Sequence, residues 1–102
     1  MRDAHAPCRR RRSASKYSGA PSRILREGGQ SAASAALNCA EGAARQTRAD
    51  KSRAYAIALC ECCEACAAIE IAGTLGACSA ADVQAVVALG TRTKNILSRL
   101  VR

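Results

Sequence analysis

Aromatic residues are almost missing from this sequence. Tyr17 and Tyr55 are the two aromatics among 102 residues, and Phe and Trp do not occur. A β-sandwich of this size normally depends on aromatic and β-branched strand residues, so the composition argues against an all-β fold. Alanine, leucine, glutamate and arginine favour helices instead. Because aromatic side chains are so few, stacking on nucleic-acid bases can contribute little to any binding.

Histidine and long apolar runs are scarce as well. His5 is the one histidine, and its place near the N-terminus leaves no base for a nucleophile–base pair elsewhere. No segment approaches the roughly 20 apolar residues of a membrane span. No apolar signal-peptide segment follows the charged first residues. The sequence therefore predicts a non-enzymatic cytoplasmic protein that needs neither a cofactor nor a membrane.

Cysteine, in contrast, is abundant, and its number is odd. Free thiols in a reducing cytoplasm fit this pattern better than a disulfide framework. Four cysteines cluster in one predicted helix, but a rigid helix directs only two or three thiolates to one point, whereas structural zinc needs four ligands. We therefore predict small buried hydrophobic side chains, with a thiol- or metal-dependent protein as the alternative. The cysteines are Cys8, Cys39, Cys60, Cys62, Cys63, Cys66 and Cys78.

The net charge of +8 is unevenly distributed. Residues 1–23 carry seven Arg or Lys and one Asp, a net of +6, whereas residues 24–102 carry nine basic and seven acidic residues, a net of +2. The like-charge run in residues 9–12, followed by Ser, Gly and Pro, predicts a disordered basic tail over residues 1–22. This tail is either a nucleic-acid-binding arm or an unstructured leader.

Residues 23–102 predict a helical domain. Gly28-Gly29 interrupts the helical pattern and delays the start of the first helix. Capping boxes at Thr47-Arg-Ala-Asp50 and Ser79-Ala-Ala-Asp82 open the second and third. Because short connections make consecutive helices antiparallel, the fold class is all-α, an antiparallel up-down helical bundle. The predicted helices span about residues 30–44, 48–75 and 80–100.

Apolar residues form stripes along the second and third helices, with the alternating steps of three and four that bundles and coiled coils show. A core made mostly of Ala and Cys buries little area per residue in a small domain. We therefore expect further burial between subunits. The second-helix seam is Tyr55, Ala58, Cys62, Ala65, Ile69 and Ala72. The third-helix stripes are Val83, Val87, Gly90, Leu97 and Val101, and beside them Val86, Leu89, Ile96 and Leu100.

Antiparallel packing predicts one basic end of the bundle, where the second helix begins and the third ends. Cations in a helix's first turn oppose its dipole at a cost of about 0.3–1 kcal/mol each, so we interpret them as a binding surface, with solubility as the alternative. Their phosphate contacts would be salt-sensitive and independent of base sequence. The candidate nucleic-acid-binding residues are Arg45, Arg48, Lys51, Arg53, Arg92, Arg99 and Arg102, together with Arg9, Arg10, Arg11 and Arg12 of the tail.

The stretch Leu37-Asn-Cys-Ala-Glu-Gly-Ala-Ala-Arg-Gln-Thr-Arg-Ala-Asp-Lys51 resembles a four-helix-bundle family first noticed as reading frames inside bacterial 23S rRNA intervening sequences. The same family includes the accessory variability determinant proteins of diversity-generating retroelements. The resemblance covers roughly residues 31–102. The matching positions are Asn38, Ala40, Glu41, Gly42, Arg45, Arg48 and Asp50, then Tyr55-Ala-Ile-Ala58, Glu64, Ile69-Glu-Ile-Ala72 and Leu75-Gly76.

The resemblance implies a ring-shaped homopentamer with a basic surface. For the accessory branch it implies binding to a reverse transcriptase and its template RNA, and for the other branch it implies no established activity. Glu41 and Glu64 match family positions, and we expect them to pair with arginines between helices. The chain departs from the family in two ways: residues 1–30 do not resemble the family's first helix, and Cys60-Glu61 stands where members often carry Gly-Ser.

Two main functional hypotheses follow. The first is a non-catalytic, oligomeric helical-bundle protein that binds the RNA or DNA backbone. In one version of this hypothesis, its protein partner is a reverse transcriptase. The second is a structural or protein-interaction module whose charge only keeps it in solution. A steep salt dependence of nucleic-acid affinity distinguishes the first from the second.

Overall fold

The computed structural model describes residues 19–102, and this part of the chain forms three helices and no strand. Helix α1 spans Ala20–Ala44, α2 spans Arg48–Thr74 and α3 spans Ala80–Val101. The all-α prediction is therefore confirmed for the described residues, and the bounds of the second and third helices agree with it to within one residue. None of the three helices is long and apolar enough to cross a lipid bilayer.

Helix α2 is central. It packs against both other helices, whereas α1 and α3 make few contacts with each other. Gly42, near the end of α1, faces Tyr55 near the start of α2, while Gly28 faces Ala68 at the other end. These pairs show that α1 and α2 run antiparallel, as the short connection predicts. Because α1 and α3 make few contacts with each other, the side of α2 that lies between them is left open.

Helix α1 begins about ten residues before the predicted start. Gly19, with a φ of 85°, precedes the helix, and Pro21 lies in the first turn, where its missing N–H has no intrahelical partner to lose. A Cβ at Gly28 would lie 2.8 Å from the Cβ of Ala68. The prediction that Gly28-Gly29 delays the helix was wrong, because this close contact with α2 outweighs the low helix propensity of glycine.

Capping residues fix where α2 and α3 begin. The Thr47 hydroxyl accepts the backbone N–H of Asp50 at 3.1 Å, and the Ser79 hydroxyl accepts that of Asp82 at 3.1 Å. Each bond satisfies a backbone donor that has no partner inside the helix. The opposite end of α2 closes at Gly76, whose φ of 81° is the left-handed conformation typical of helix ends.

Small residues form the contact between α2 and α3. Gly90 lies against the thiol of Cys66 with no room for a Cβ between them. Gly73 lies inside α2, and a Cβ there would approach Val83 Cγ2 to 2.6 Å. The core is correspondingly small. The buried apolar residues of the described range are Ala35, Ala54, Ala58, Cys62, Cys66, Ala72 and Leu97.

The predicted stripes differ in what they contact. The α2 seam is confirmed, because three of its members are buried and the other three half-buried. One stripe of α3 faces α2, as Gly90 and Leu97 are buried and the rest of that stripe is half-buried. The neighbouring stripe of α3 faces solvent. Its members Val86, Leu89, Ile96 and Leu100 are exposed.

Candidate nucleic-acid interface

Basic residues are concentrated in one half of the helical bundle. Antiparallel packing places the start of α2 beside the ends of α1 and α3. Eight of the ten Arg and Lys residues in the range 19–102 lie within 45–53 and 92–102, whereas one of the seven acidic residues does. We call these eight residues the basic pole; they are Arg45, Arg48, Lys51, Arg53, Arg92, Lys94, Arg99 and Arg102.

Lys51 of the basic pole holds the end of α1. Its ammonium donates to the backbone carbonyls of Gly42 at 3.3 Å and Ala43 at 3.0 Å. These carbonyls belong to the last turn of α1 and have no partner within the helix. The cation therefore lies at the negative end of the α1 dipole, which is a favourable position.

Arg48 binds the C-terminal end of α3 in the same way. Its guanidinium donates to the backbone carbonyl of Arg102 at 3.0 Å, and the hydroxyl of Ser52 donates to that of Val101. The cations at the start of α2 therefore do more than oppose the dipole of their own helix. Two neighbouring helices end beside the start of α2, and their C-terminal carbonyls offset the cost.

Arg45 and Arg53 line a small cleft between the end of α1 and the start of α2. Arg45 pairs with Glu41 at 2.7 Å, and both side chains are about half exposed, at 48% and 53%. A pair so exposed contributes little to stability, but it partly neutralises Arg45. Asp50 also lines the cleft. This part of the pole is therefore of mixed charge, and Arg53 is its unpaired cation within the described residues.

Arg92, Arg99 and Arg102 lie exposed along the second half of α3. No side-chain hydrogen bond or ion pair engages the side chains of these three arginines within residues 19–102. Arg92 and Arg99 are seven residues apart, which is about 10.5 Å along a helix axis. These side chains, with Arg53, carry the charge most available to an external anion.

The remaining predictions fall in three places. Lys94, which sequence reasoning passed over, is half-buried on α3 at the pole; its step of four from Gly90 was the signal that it borders the α2 contact. Arg9 to Arg12 lie outside the described residues, as does most of the predicted tail, while residues 20–22 belong to α1. The prediction that Glu41 and Glu64 pair with arginines of other helices was wrong. Glu64 accepts a hydrogen bond from Ser31 of α1 at 3.2 Å, and Glu41 pairs with Arg45, four residues further along at the end of the same helix.

The cysteine cluster divides between core and surface. Cys62 and Cys66 are buried where α3 crosses α2, and the Cys62 thiol donates to the Gly90 carbonyl at 3.7 Å. Burial raises the pKa of Cys62 above its ordinary value, neighbouring Cys66 and Cys63 raise it further, and Lys94 opposes them. No group of three or more Cys, His, Asp or Glu within 19–102 could hold a metal ion. The buried thiols act as small packing groups.

Comparison with known proteins adds no family assignment. No protein-family model matches the chain. No similar curated protein and no similar solved structure was found.

Proposed function

We propose that this chain is a non-catalytic helical protein that binds the phosphate backbone of a nucleic acid through the basic pole. The supporting observation is that eight of the ten Arg and Lys residues in the range 19–102 lie in the half of the bundle where α2 begins and α1 and α3 end. The acidic residues beside them are Asp50 and Glu41. Phosphate contacts of Arg and Lys supply most of the affinity in sequence-independent binding. Such binding needs no aromatic platform, which suits a chain with two tyrosines.

The cations of the basic pole form two groups, which would contact phosphate in different ways. Arg48 and Lys51 are held by backbone carbonyls and keep further N–H donors for phosphate, because a guanidinium has five donors and an ammonium has three. Arg53, Arg92, Arg99 and Arg102 are exposed and can adjust to the position of a phosphate. Long side chains of this kind follow a backbone without reading bases.

The family resemblance carries the more specific version of this proposal. In it, the protein is a homopentameric accessory factor that binds a reverse transcriptase and its template RNA. The small Ala- and Cys-rich core supports assembly of some kind, because a single copy buries few large side chains. Mass measurement under native conditions tests the number of subunits.

A structural module without a nucleic-acid role is the second candidate. It is favoured by one observation, the use of Arg48 and Lys51 as caps for the ends of α3 and α1. In that case the basic pole exists to close the helix ends and not to bind phosphate.

Charge reversal at matched positions separates the two candidates. We expect Arg53→Glu with Arg102→Glu to weaken binding of the full chain to a labelled 20-nucleotide oligo(U) RNA about tenfold or more at low salt. The control is Arg23→Glu with Arg26→Glu, which changes the net charge equally but at the start of α1. Equal losses in both variants, or no binding by the unmodified chain in anisotropy titrations, would overturn the nucleic-acid proposal.

A further inference from the structure

An apolar stripe on α3 is exposed to solvent along four helical turns. Leu89 and Ile96 are 60% and 59% exposed, and Leu100 and Val86 are 47% and 39% exposed. With Thr93 between them, these residues follow alternating steps of three and four, which places them on one face. Surface leucines and isoleucines in single positions are ordinary, but a continuous stripe usually marks a contact surface.

This stripe borders the space over α2 between α1 and α3, and its Val86 end lines a defined depression there. At the Val86 end, a single depression is lined by Leu25 and Ala32 of α1, Ile69 of α2 and Val86 of α3. On the other side of α3, a different depression is lined by Glu70 and Thr74 of α2 and by Gln84 of α3. Because α1 and α3 make few contacts with each other, the groove is open to solvent. We call it the α1–α3 groove.

The outer edge of the α3 wall is basic. Arg92 and Arg99 each follow a stripe residue, Leu89 and Ile96, by three positions, so they lie one turn further along and on the solvent side. Both arginines are exposed, and neither is neutralised by an acidic side chain within residues 19–102. The groove therefore combines an apolar wall with a positively charged edge.

We propose that the α1–α3 groove binds an amphipathic helix of a partner protein whose flanking positions carry Asp or Glu. Helix-in-groove recognition uses apolar anchors spaced by three and four residues, and the stripe offers the complementary spacing. From Val86 to Leu100 it spans about 21 Å, so the partner helix needs about 14 residues. The groove shares Arg92 and Arg99 with the basic pole, but the inference goes beyond the proposed function because phosphate would leave the apolar stripe exposed.

Charge is the reason to choose such a partner over a second copy of α3. Two α3 stripes packed face to face and antiparallel would bring Arg92 and Arg99 of one copy beside the same arginines of the other. Like charges at the edges of a helix pair oppose association, whereas opposite charges select the partner. An amphipathic helix with acidic flanking residues matches both the apolar wall and the basic edge of the groove.

Two designed peptides test the proposal with the full chain. Both are 18-residue, fluorescein-labelled amphipathic helices with the same Leu and Ala face, one with Glu and one with Lys at the flanking positions. We expect the Glu peptide to bind and the Lys peptide to bind about tenfold more weakly or not at all. Arg92→Glu with Arg99→Glu should reverse this preference.

Substitution of the stripe locates the binding surface. We expect Leu89→Ser with Ile96→Ser to weaken binding of the Glu peptide about tenfold or more. The control is Leu37→Ser, which removes a leucine that is 71% exposed on α1 and lies outside the depression lined by Leu25. All three positions are exposed, so folding should persist, and circular dichroism checks it.

Three outcomes would overturn the inference: equal binding of both peptides, unchanged binding after the Leu89 and Ile96 substitutions, or self-association through the stripe. In the last case native mass spectrometry would show an oligomer that the Leu89 and Ile96 substitutions dissociate. The oligo(U) titration on the same variants keeps the two proposals apart. An unmodified chain that binds the Glu peptide selectively but does not bind oligo(U) contradicts only the proposed function. An unmodified chain that binds oligo(U) but does not distinguish the two peptides contradicts only the groove.

Discussion

Gly90 of α3 lies directly against the thiol of Cys66 in α2, so the two helix backbones approach closely at this point. The Cys62 thiol donates to the Gly90 carbonyl from the same side. A close crossing of this type forms with small residues only, because larger ones would hold the helices apart. The position of α3 on α2, and with it the orientation of the basic pole, depends on this contact.

Gly90→Ala is expected to destabilise the fold by about 1–3 kcal/mol, because the added Cβ overlaps Cys66 and forces α3 away from α2. Urea unfolding followed by circular dichroism measures the effect. Cys66→Ala in the same chain removes the opposing sulfur and should recover part of the loss. Gly29→Ala is the control: no atom of residues 19–102 lies within 4 Å of a Cβ there, so it should stabilise by roughly 0.5–1 kcal/mol.

Lys51→Met is expected to lower the free energy of unfolding by about 1 kcal/mol. The substitution keeps the apolar stem but leaves the carbonyls of Gly42 and Ala43 without their ammonium donor. Arg53→Met removes a neighbouring cation that caps no helix end within residues 19–102, and it should stay within about 0.5 kcal/mol of the unmodified chain. Thermal unfolding of both variants at one ionic strength makes the comparison. Equal losses would show that Lys51 acts only through general charge.

Nucleic-acid affinity should fall steeply as salt is raised. Each phosphate contact contributes about 0.7 to the slope of log affinity against log salt on single strands. The Arg53→Glu and Arg102→Glu variant should therefore lower the slope by about 1 to 2, in addition to weakening binding at every salt concentration. Titrations of oligo(U) RNA between low and physiological salt measure it. A slope that the substitutions leave unchanged contradicts a phosphate contact at either residue.

Stability should decline at alkaline pH through Cys62. Burial raises the pKa of this thiol above its ordinary value of 9.0. Above pH 9.0 the unfolded chain loses the thiol proton more readily than the folded chain, so the stabilising contribution is complete below 9.0 and is lost as pH rises through the folded-state pKa. The stability difference between the unmodified chain and Cys62→Ala should therefore shrink above pH 9.0. Urea unfolding in reducing buffer measures it, and parallel pH curves would contradict it.

Local sequence signals predicted much of the fold. Thr47 and Ser79 set the starts of α2 and α3 because a capping side chain needs only its own turn. The early start of α1 was missed because Gly28 is read as a breaker until Ala68 is known to face it. That contact joins residues far apart in the sequence, and no local rule contains it.

The candidate site was predicted less completely. Short connections were enough to bring the start of α2 beside the end of α3, and Arg48 indeed contacts Arg102. The bonds from Lys51 to the end of α1 depend on the exact approach of two helices, which periodicity does not specify. Similarly, the two stripes of α3 were visible in the sequence, but only the packing shows that the stripe with Leu89 faces solvent.

Glycine, alanine and cysteine at the helix contacts limit how this sequence can vary over evolutionary time. At Gly28 and Gly90 every other residue type adds volume where the opposite helix already lies. Surface positions on α1 and α3 are free of that restriction and can diverge quickly. A distant relative of this protein would therefore be recognised less by shared large hydrophobic residues than by small residues kept at these two crossing points.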